Sequence, residues 1–424
     1  MPALNKKEVV IIVDAWSGGK YLIPAFQALG YFCIHIQSEF VPTVFENDNN
    51  LAATRSDVHI VHNGDVEILV GALNIYKVKA IIAGSEGAVS LADNLNEIFG
   101  LAFKNSYNLS IARRNKFHMQ DRLAQNGLDS INQKIVTNIK ELREWLAQNE
   151  RRPVVLKPVQ SAGTDGVFIC HGIEDAENAL NIILAKKDLF GDANLQVLCQ
   201  EFLDGEEFVI NGIACQGQYF FTELWRSQKK QRDGSPVYDV QYLHYQNDTG
   251  FSTLTNYTTK VCQSLGFSNG AFHAEVMITP RGPVLIEIGA RVAGGADPYI
   301  VEECLGHSQI SKLVQAVIHP QIFLRELHQQ HDFTGHRRAA YIFMISPNTS
   351  KVLRTPEKNL IAIPGVVSVN YHYDVGDIQK VTKDLLSSPG LIIAIQDDKL
   401  LLDETIDKIR RVESDFYRLD LELI

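Results

Sequence analysis

The chain has 424 residues, of which 45% are hydrophobic and 21% charged, and a net charge of −10 at pH 7. Such a length suits about three domains of ordinary globular composition, and an acidic balance with no basic block excludes nucleic acid as the main partner. No apolar run nears membrane-spanning length and no cleavable signal follows Lys6, Lys7 and Glu8, while the six cysteines are scattered without a CxxC or His-rich spacing; a cytoplasmic protein with no membrane partner is expected.

Val9 to Val13 reads as a buried strand, Asp14 to Lys20 as a turn, Tyr21 to Leu29 as a helix and Tyr31 to Gln37 as the next strand. This β-loop-α-β order implies a parallel sheet, continued by Val58 to His62, a helix around Asp65 to Asn74, and Ala80 to Ala83. Gly18-Gly19-Lys20 lacks the first glycine and the closing Ser or Thr of a P-loop. It stands either as an anion contact at the sheet's carboxyl edge or as a plain tight turn. Gly84-Ser85-Glu86-Gly87 ends the last strand before the helix Ala88 to Ile98, so Glu86 either touches substrate or favours the helix N-terminus.

Leu109 to Asn126 reads as one basic amphipathic helix with Arg113, Arg114 and Lys116, whose plain reading is a solvated charged face. After a strand at Gln133 to Val136 and a helix around Lys140 to Gln148, Lys157 closes an apolar strand, where a charge is costly unless it meets an anion. Ser161-Ala-Gly163-Thr-Asp-Gly166 then makes a small-residue loop whose backbone N–H groups suit phosphate oxygens; a structural hairpin would leave Lys157 unexplained. A strand ends at Glu201 and another begins at Glu207, leaving a linker with free backbone groups for an adenine edge and an acid for ribose hydroxyls. Glu223 to Tyr238 reads as a charged loop turning at Asp233-Gly234 and carrying Trp225, either an active-site cover or a solvated hairpin tip. Tyr257 to Leu265 is a helix.

The most informative stretch runs from Phe272 to Tyr299. Two Val- and Ile-rich flanks read as strands around a three-residue loop, Pro280-Arg281-Gly282. That loop centres the hairpin on Arg281 and sets Glu275 opposite Glu287, with Cβ atoms roughly 5 Å apart, an unfavourable pairing for like charges. Ala274, Val276 and Ile278 against Val284, Ile286 and Ile288 form the core face. Two facing carboxylates suit a hard cation such as Mg²⁺, which fills its octahedron with water and phosphate oxygens; two solvent-facing acids are the plain alternative. Arg291 falls on the same side. Beyond His319 the chain turns rich in His and Gln (His328, His331, His336) with no metal spacing, then gives strands at Ala339 to Ser346, Val366 to Tyr373 and Leu391 to Gln396 and a helix from Asp403 to Tyr417, read as a separate small α/β lobe.

Taken in order, Lys116, Lys157 with its small-residue loop, the Glu201 to Glu207 segment, and Glu275, Glu287 and Arg291 resemble the ATP-grasp superfamily across almost the whole chain. The resemblance implies an α/β fold, α+β in the ATP-binding part. A Rossmann-like N-terminal domain would span 1–108, a two-lobed ATP-grasp domain 109–325 (small lobe about 130–200, large lobe about 201–325), and a C-terminal lobe 326–424. It implies that Lys116 and Lys157 bind ATP phosphates under a loop containing Ser161 and Gly163, that Glu201, Phe202 and Leu203 hold adenine, and that Glu207 holds ribose. Glu275 and Glu287 would hold Mg²⁺ or Mn²⁺, and Arg291 and Lys157 would be catalytic. Where the family often has Glu-x-Asn-x-Arg, this chain has Glu287-Ile-Gly-Ala-Arg291, so Gly289 offers no side chain to a second ion.

Ile-Glu-Ile-Gly-Ala-Arg followed by Gly294-Gly295, with the Gly84 to Gly87 segment, looks most like the carboxylate–amine ligases, nearest the dipeptide-forming L-amino acid ligases. The implied reaction activates a carboxylate as an acyl phosphate and passes it to an amine, the partners being amino acids and a homodimer the implied assembly. Such chemistry needs positioning and charge neutralisation more than a nucleophile, and Arg291 would also stabilise an oxyanion. His273, Glu86, Gly294 and Gly295 are candidate substrate contacts, His273 as an acceptor of the amine proton or as a structural histidine. A kinase-like use of the same site, or a silent ATP-binding protein for which Gly289 is the best support, are the competing readings.

Overall fold

The computed structural model describes residues 6–423 apart from 150–152, 160–165, 189–190, 192, 233–234, 296, 328–336 and 386. Val9 to Val13 are fully buried in the strand Glu8–Val13, as a strand covered on both faces must be. Its parallel neighbours are Phe32–Gln37 and Lys77–Ala83, and Val58–Val61 completes the sheet. The helix Glu46–Arg55, absent from the sequence reading, buries only Asn49 and Ala52; its Asn-rich start has weak helix propensity and no apolar stripe to betray it.

The single helix expected from Leu109 to Asn126 is two. Ser110–Arg114 stops where Asn115 turns extended, and the Asn115 side chain accepts from the N–H groups of Phe117 and His118 to cap Lys116–Gln125. The break sets Lys116 at the first turn of a helix. Nor is Arg113 on a solvated face. It is fully buried, with Nη2 2.9 Å from Asp93 Oδ2 and 2.7 Å from the Ser106 carbonyl, and Nη1 3.0 Å from the Leu265 carbonyl. So many acceptors let a buried guanidinium persist.

A four-stranded antiparallel sheet follows, in the order Gln133–Val136, Val197–Glu201, Val154–Pro158, Phe168–Cys170. The helices Ile139–Gln148 and Ile173–Leu184 cover one of its faces through Leu142, Trp145, Leu146, Leu180 and Ile183, leaving the other to line a cleft. The large sheet has eight strands: Gly282–Gly289, Gly270–Thr279, Glu206–Cys215, Gln218–Arg232, Ser235–His244, Arg338–Phe343, Gly390–Gln396 and Val366–Tyr371.

The expected charged loop from Glu223 to Tyr238 is thus a long hairpin, with the Asp233-Gly234 turn outside the described residues. Its basic residues find acids on neighbouring strands, Lys229 on Glu207 and Lys230 on Asp239, so they mimic a loop in composition while sitting in a ladder. Trp225 is buried against Tyr341, ring centroids 4.5 Å apart, and is core rather than a side chain of a mobile cover. The last three of the eight strands, from the C-terminal third, join the large sheet through Val240 beside Ile342, while Ile378–Gln379, Ser350–Val352 and Leu421–Leu423 make a small sheet of their own; the helix Lys399–Leu419 packs over the former with Leu402, Ile406, Ile409 and Phe416. His328, His331 and His336 lie outside the described residues.

Candidate active site

The hairpin of Gly270–Thr279 and Gly282–Gly289 turns on two residues, Pro280 and Arg281, not three. Thr279 pairs with Gly282, Met277 with Val284 and Val276 with Leu285. Continued unchanged, that register would bring Ile286 opposite Glu275. An irregularity between Glu275 and Val276 absorbs Ile286 and restores Glu275 opposite Glu287. The expected facing pair is present, but a bulge produces it. The expected core face changes accordingly: Leu285 is fully buried while Ile286 faces the cleft.

Lys116 Nζ stands 3.0 Å from Glu287 Oε1, so the helix start delivers a cation to the carboxylate pair. Lys157, at the end of its strand, is buried in the same cleft. Burial first, then the neighbouring Lys116 charge, pushes its ammonium down to about 8, with Glu287 and Glu275 pulling the other way. Burial in the cleft resists charge on Glu275, yet the neighbouring His273, 3.8 Å away, and the charges of Lys229 and Arg291 outweigh that and hold the carboxyl below its ordinary range. Glu275 is therefore ready to act as an anion.

Glu207 is buried and held on both oxygens, by Lys229 Nζ at 2.6 Å and by the Tyr238 hydroxyl at 2.6 Å. Burial, then the Glu207 charge, raises the Tyr238 phenol well above its usual range, so it remains a donor. Lys229 and Tyr238 escaped the sequence reading. A register shift between Gln228 and Lys229 breaks the strand's alternation there, so no simple periodicity points Lys229 into the cleft. Glu201, Phe202 and Leu203 line the cleft edge. The Glu201 side chain itself takes Arg281 at 2.6 Å and the Asn132 N–H at 3.0 Å, tying the hairpin tip to the small sheet. Ser161 and Gly163 lie outside the described residues.

Arg291 follows the hairpin. Its Nε donates to Glu86 Oε2 at 3.1 Å and its Nη1 to the Val292 carbonyl at 3.1 Å. Glu86 is buried at the end of the first sheet, so that sheet and the hairpin meet at this pair. His273 Nδ1 lies 2.7 Å from Asn211 Oδ1 and its Nε2 3.8 Å from Glu275. Gly294 and Gly295 continue the loop after Arg291, and a Cβ on Gly294 would stand 2.8 Å from Ser17 Oγ. The Gly18-Gly19 turn is a close-packing device: a Cβ on Gly18 would meet the Ala293 carbonyl at 2.0 Å and one on Gly19 the backbone of Gly84 at 2.3 Å. Lys20 is paired with Asp48 at 3.3 Å.

Residues 150–298 match the ATP-grasp domain family. Over 421 residues, 99% of both chains, the sequence is 66% identical to dapdiamide A synthase of Enterobacter agglomerans. The chain belongs to the ATP-grasp ligases. Solved structures of this fold superpose over nearly the whole chain at low identity. An L-amino acid ligase from Bacillus licheniformis gives a TM-score of 0.73 at 17% identity, covering 99% of this chain and 98% of that one. A carboxyaminoimidazole ribonucleotide synthase from Aspergillus clavatus, complexed with ATP, gives 0.69 at 15%, covering 97% and 99%.

As an ATP-grasp ligase the protein forms carbon–nitrogen bonds with ATP and Mg²⁺ as cofactors. The donors present fit that ion. Among the described residues no three His, Cys, Asp or Glu side chains gather as a cage, and Mg²⁺ typically takes one or two carboxylates and completes its shell with water and phosphate oxygens. Glu275 and Glu287 supply two carboxylates on one face, with lysines at hand for phosphate. The bound ion would neutralise phosphate charge there. Among the described residues no helix is long and apolar enough to cross a membrane.

Proposed function

We propose that this ligase joins a small carboxylic acid to the amine of an amino acid, giving a dipeptide-type amide by way of an acyl phosphate. A carboxylate oxygen attacks the γ-phosphorus of ATP and ADP leaves. The amine nitrogen then attacks the acyl carbon, phosphate leaves, and the nitrogen gives up a proton. The observation that carries the reading is the facing pair Glu275 and Glu287, with Lys116 and Lys157 beside it and Arg291 beyond it. Full-length identity of 66% to dapdiamide A synthase makes the product in that relative's name the first compound to look for.

In this reading Lys116 and Lys157 bind the phosphates and the loop from Ser161 to Gly166 closes over them. The Glu201 to Leu203 backbone holds adenine and Glu207 the ribose, its carboxylate kept in place by Lys229 and Tyr238. Glu275 and Glu287 hold Mg²⁺. Arg291 faces the transferred phosphoryl group and the oxyanion, while His273, Glu86, Gly294 and Gly295 border the amino-acid site. The division into 1–108, 109–325 and 326–424 follows the same assignment, with the last part sharing the large sheet. Six cysteines, all free and buried, support a reducing cytoplasm, and the family resemblance supports a homodimer.

The test is phosphate release from MgATP across a grid of single acids and acid–amine pairs, with mass spectrometry of products. Release that requires a pair, with an amide-mass product and ADP, is expected. Turnover with an acid alone would replace the amine acceptor in this reading.

A further inference from the structure

The gap at Gly289 has an occupant. A Cβ built on Gly289 would stand 2.5 Å from Glu86 Oε2, and 3.3 Å from Arg291 Nε. The place that a side chain at 289 would take is thus filled by a carboxylate from another part of the chain, the loop ending the strand Lys77–Ala83. That same oxygen accepts the Arg291 Nε at 3.1 Å, while Arg291 Nη1 is engaged by the Val292 carbonyl. Two bonds, one on Nε and one on Nη1, fix the plane of the guanidinium. Glu86 is 6% exposed, too deep to be a solvated surface acid. Arg114, 3.9 Å from its other oxygen, further holds the carboxylate in the pocket.

We infer that Glu86 and Gly289 are a matched pair whose task is to position Arg291: the glycine leaves room for the carboxylate, and the carboxylate orients the arginine. Glu86 then serves the amino-acid site that it borders by positioning Arg291, not by holding substrate. The missing side chain at 289 is not a sign of a silent enzyme. It is the condition under which an acid of the first sheet reaches the reacting centre of the hairpin. The inference rests on the proposed role of Arg291.

Four variants test it together, each read by kcat, by KM for ATP and by melting temperature. Glu86→Ala releases the guanidinium, and kcat falls by about ten- to a hundredfold, the range expected of a misplaced catalytic group, with KM for ATP little changed. Glu86→Gln keeps an acceptor for Nε and recovers most of that loss. Gly289→Ala meets only the far end of a flexible side chain, so it folds, but its methyl pushes the carboxylate off Arg291 and lowers kcat as Glu86→Ala does. In the double variant Glu86→Ala with Gly289→Ala the two losses fail to add, because both break one contact.

Undiminished kcat in Gly289→Ala, or losses that add in the double variant, would overturn the pairing. So would a fall in Glu86→Gln as deep as that in Glu86→Ala. Arg291→Ala separates this failure from that of the site reading. If it cuts kcat by several powers of ten while the other variants do not, the pairing alone is wrong. If it leaves kcat unchanged, Arg291 has no part in the chemistry and both statements fall.

Discussion

Two glutamates face one another across adjacent strands only where cations offset their repulsion, and Glu275 and Glu287 have Lys116, Lys229 and Arg291 around them. Removing one charge should break the function without breaking the pocket. Glu287→Gln is expected to lower turnover by about a thousandfold or more while ATP still binds, as kcat and calorimetry would show; unchanged turnover would remove the metal assignment. Lys157 gives a second prediction, on pH. Its ammonium is held down to about 8, so the free enzyme loses that charge as pH rises through about 8, and an arriving phosphate favours the charged form. ATP binding should therefore take up close to half a proton near pH ~8 and almost none near pH ~6. Calorimetry in buffers of different ionisation heat measures this, and Lys157→Met should abolish it. These residues were legible because a carboxylate pair on a hairpin and a lysine ending an apolar strand are both costly without a ligand. Arg113 was not: its pattern is that of a solvated face, and only the tertiary acceptors Asp93 and Leu265 reveal a buried clamp.

At the level of elements, the hairpin shows how a correct pairing can follow from an incorrect turn. Pro280-Arg281-Gly282 predicts a three-residue loop, whereas two residues and a bulge at Ile286 give the same facing pair. Bulges cost one unpaired residue and leave no signature in an apolar run, which is why Leu285 and Ile286 exchanged faces relative to expectation. The long strand through Trp225 was hidden for a related reason, since its charges are neutralised by neighbouring strands. What keeps the hairpin rigid is the layer behind it. Phe272 is fully buried, and Gly212 on the next strand leaves space for its ring, which a Cβ there would meet at 2.3 Å. Phe272→Ala should cost about 3–5 kcal/mol, read as a lower denaturant midpoint with an unchanged slope.

Across the whole molecule, the site is assembled from parts far apart in the chain: Glu86 from the parallel sheet, Lys157 from the small antiparallel sheet, Lys116 from a helix start, and the glutamate pair and Arg291 from the large sheet. The order of these parts in the sequence made the fold class readable. Where they join was not readable, because the joints combine a core shared by distant segments, Leu22 and Phe26 with Ile213 and Leu313 among them, with single buried polar contacts. Arg113 is one such joint, bridging Asp93 of the helix Val89–Ile98 to the Leu265 carbonyl. Arg113→Ala would leave the buried Asp93 carboxylate with the Ser110 hydroxyl but without its cation and should cost about 3–5 kcal/mol, seen as a fall in melting temperature together with faster hydrogen exchange in the parallel sheet.

The measurement that bears most directly on the mechanism follows a heavy-oxygen label placed in the carboxylate of the acid substrate. Activation as an acyl phosphate predicts that one labelled oxygen per amide formed appears in inorganic phosphate, alongside ADP. Phosphate free of label, or AMP and pyrophosphate in place of ADP and phosphate, would contradict it.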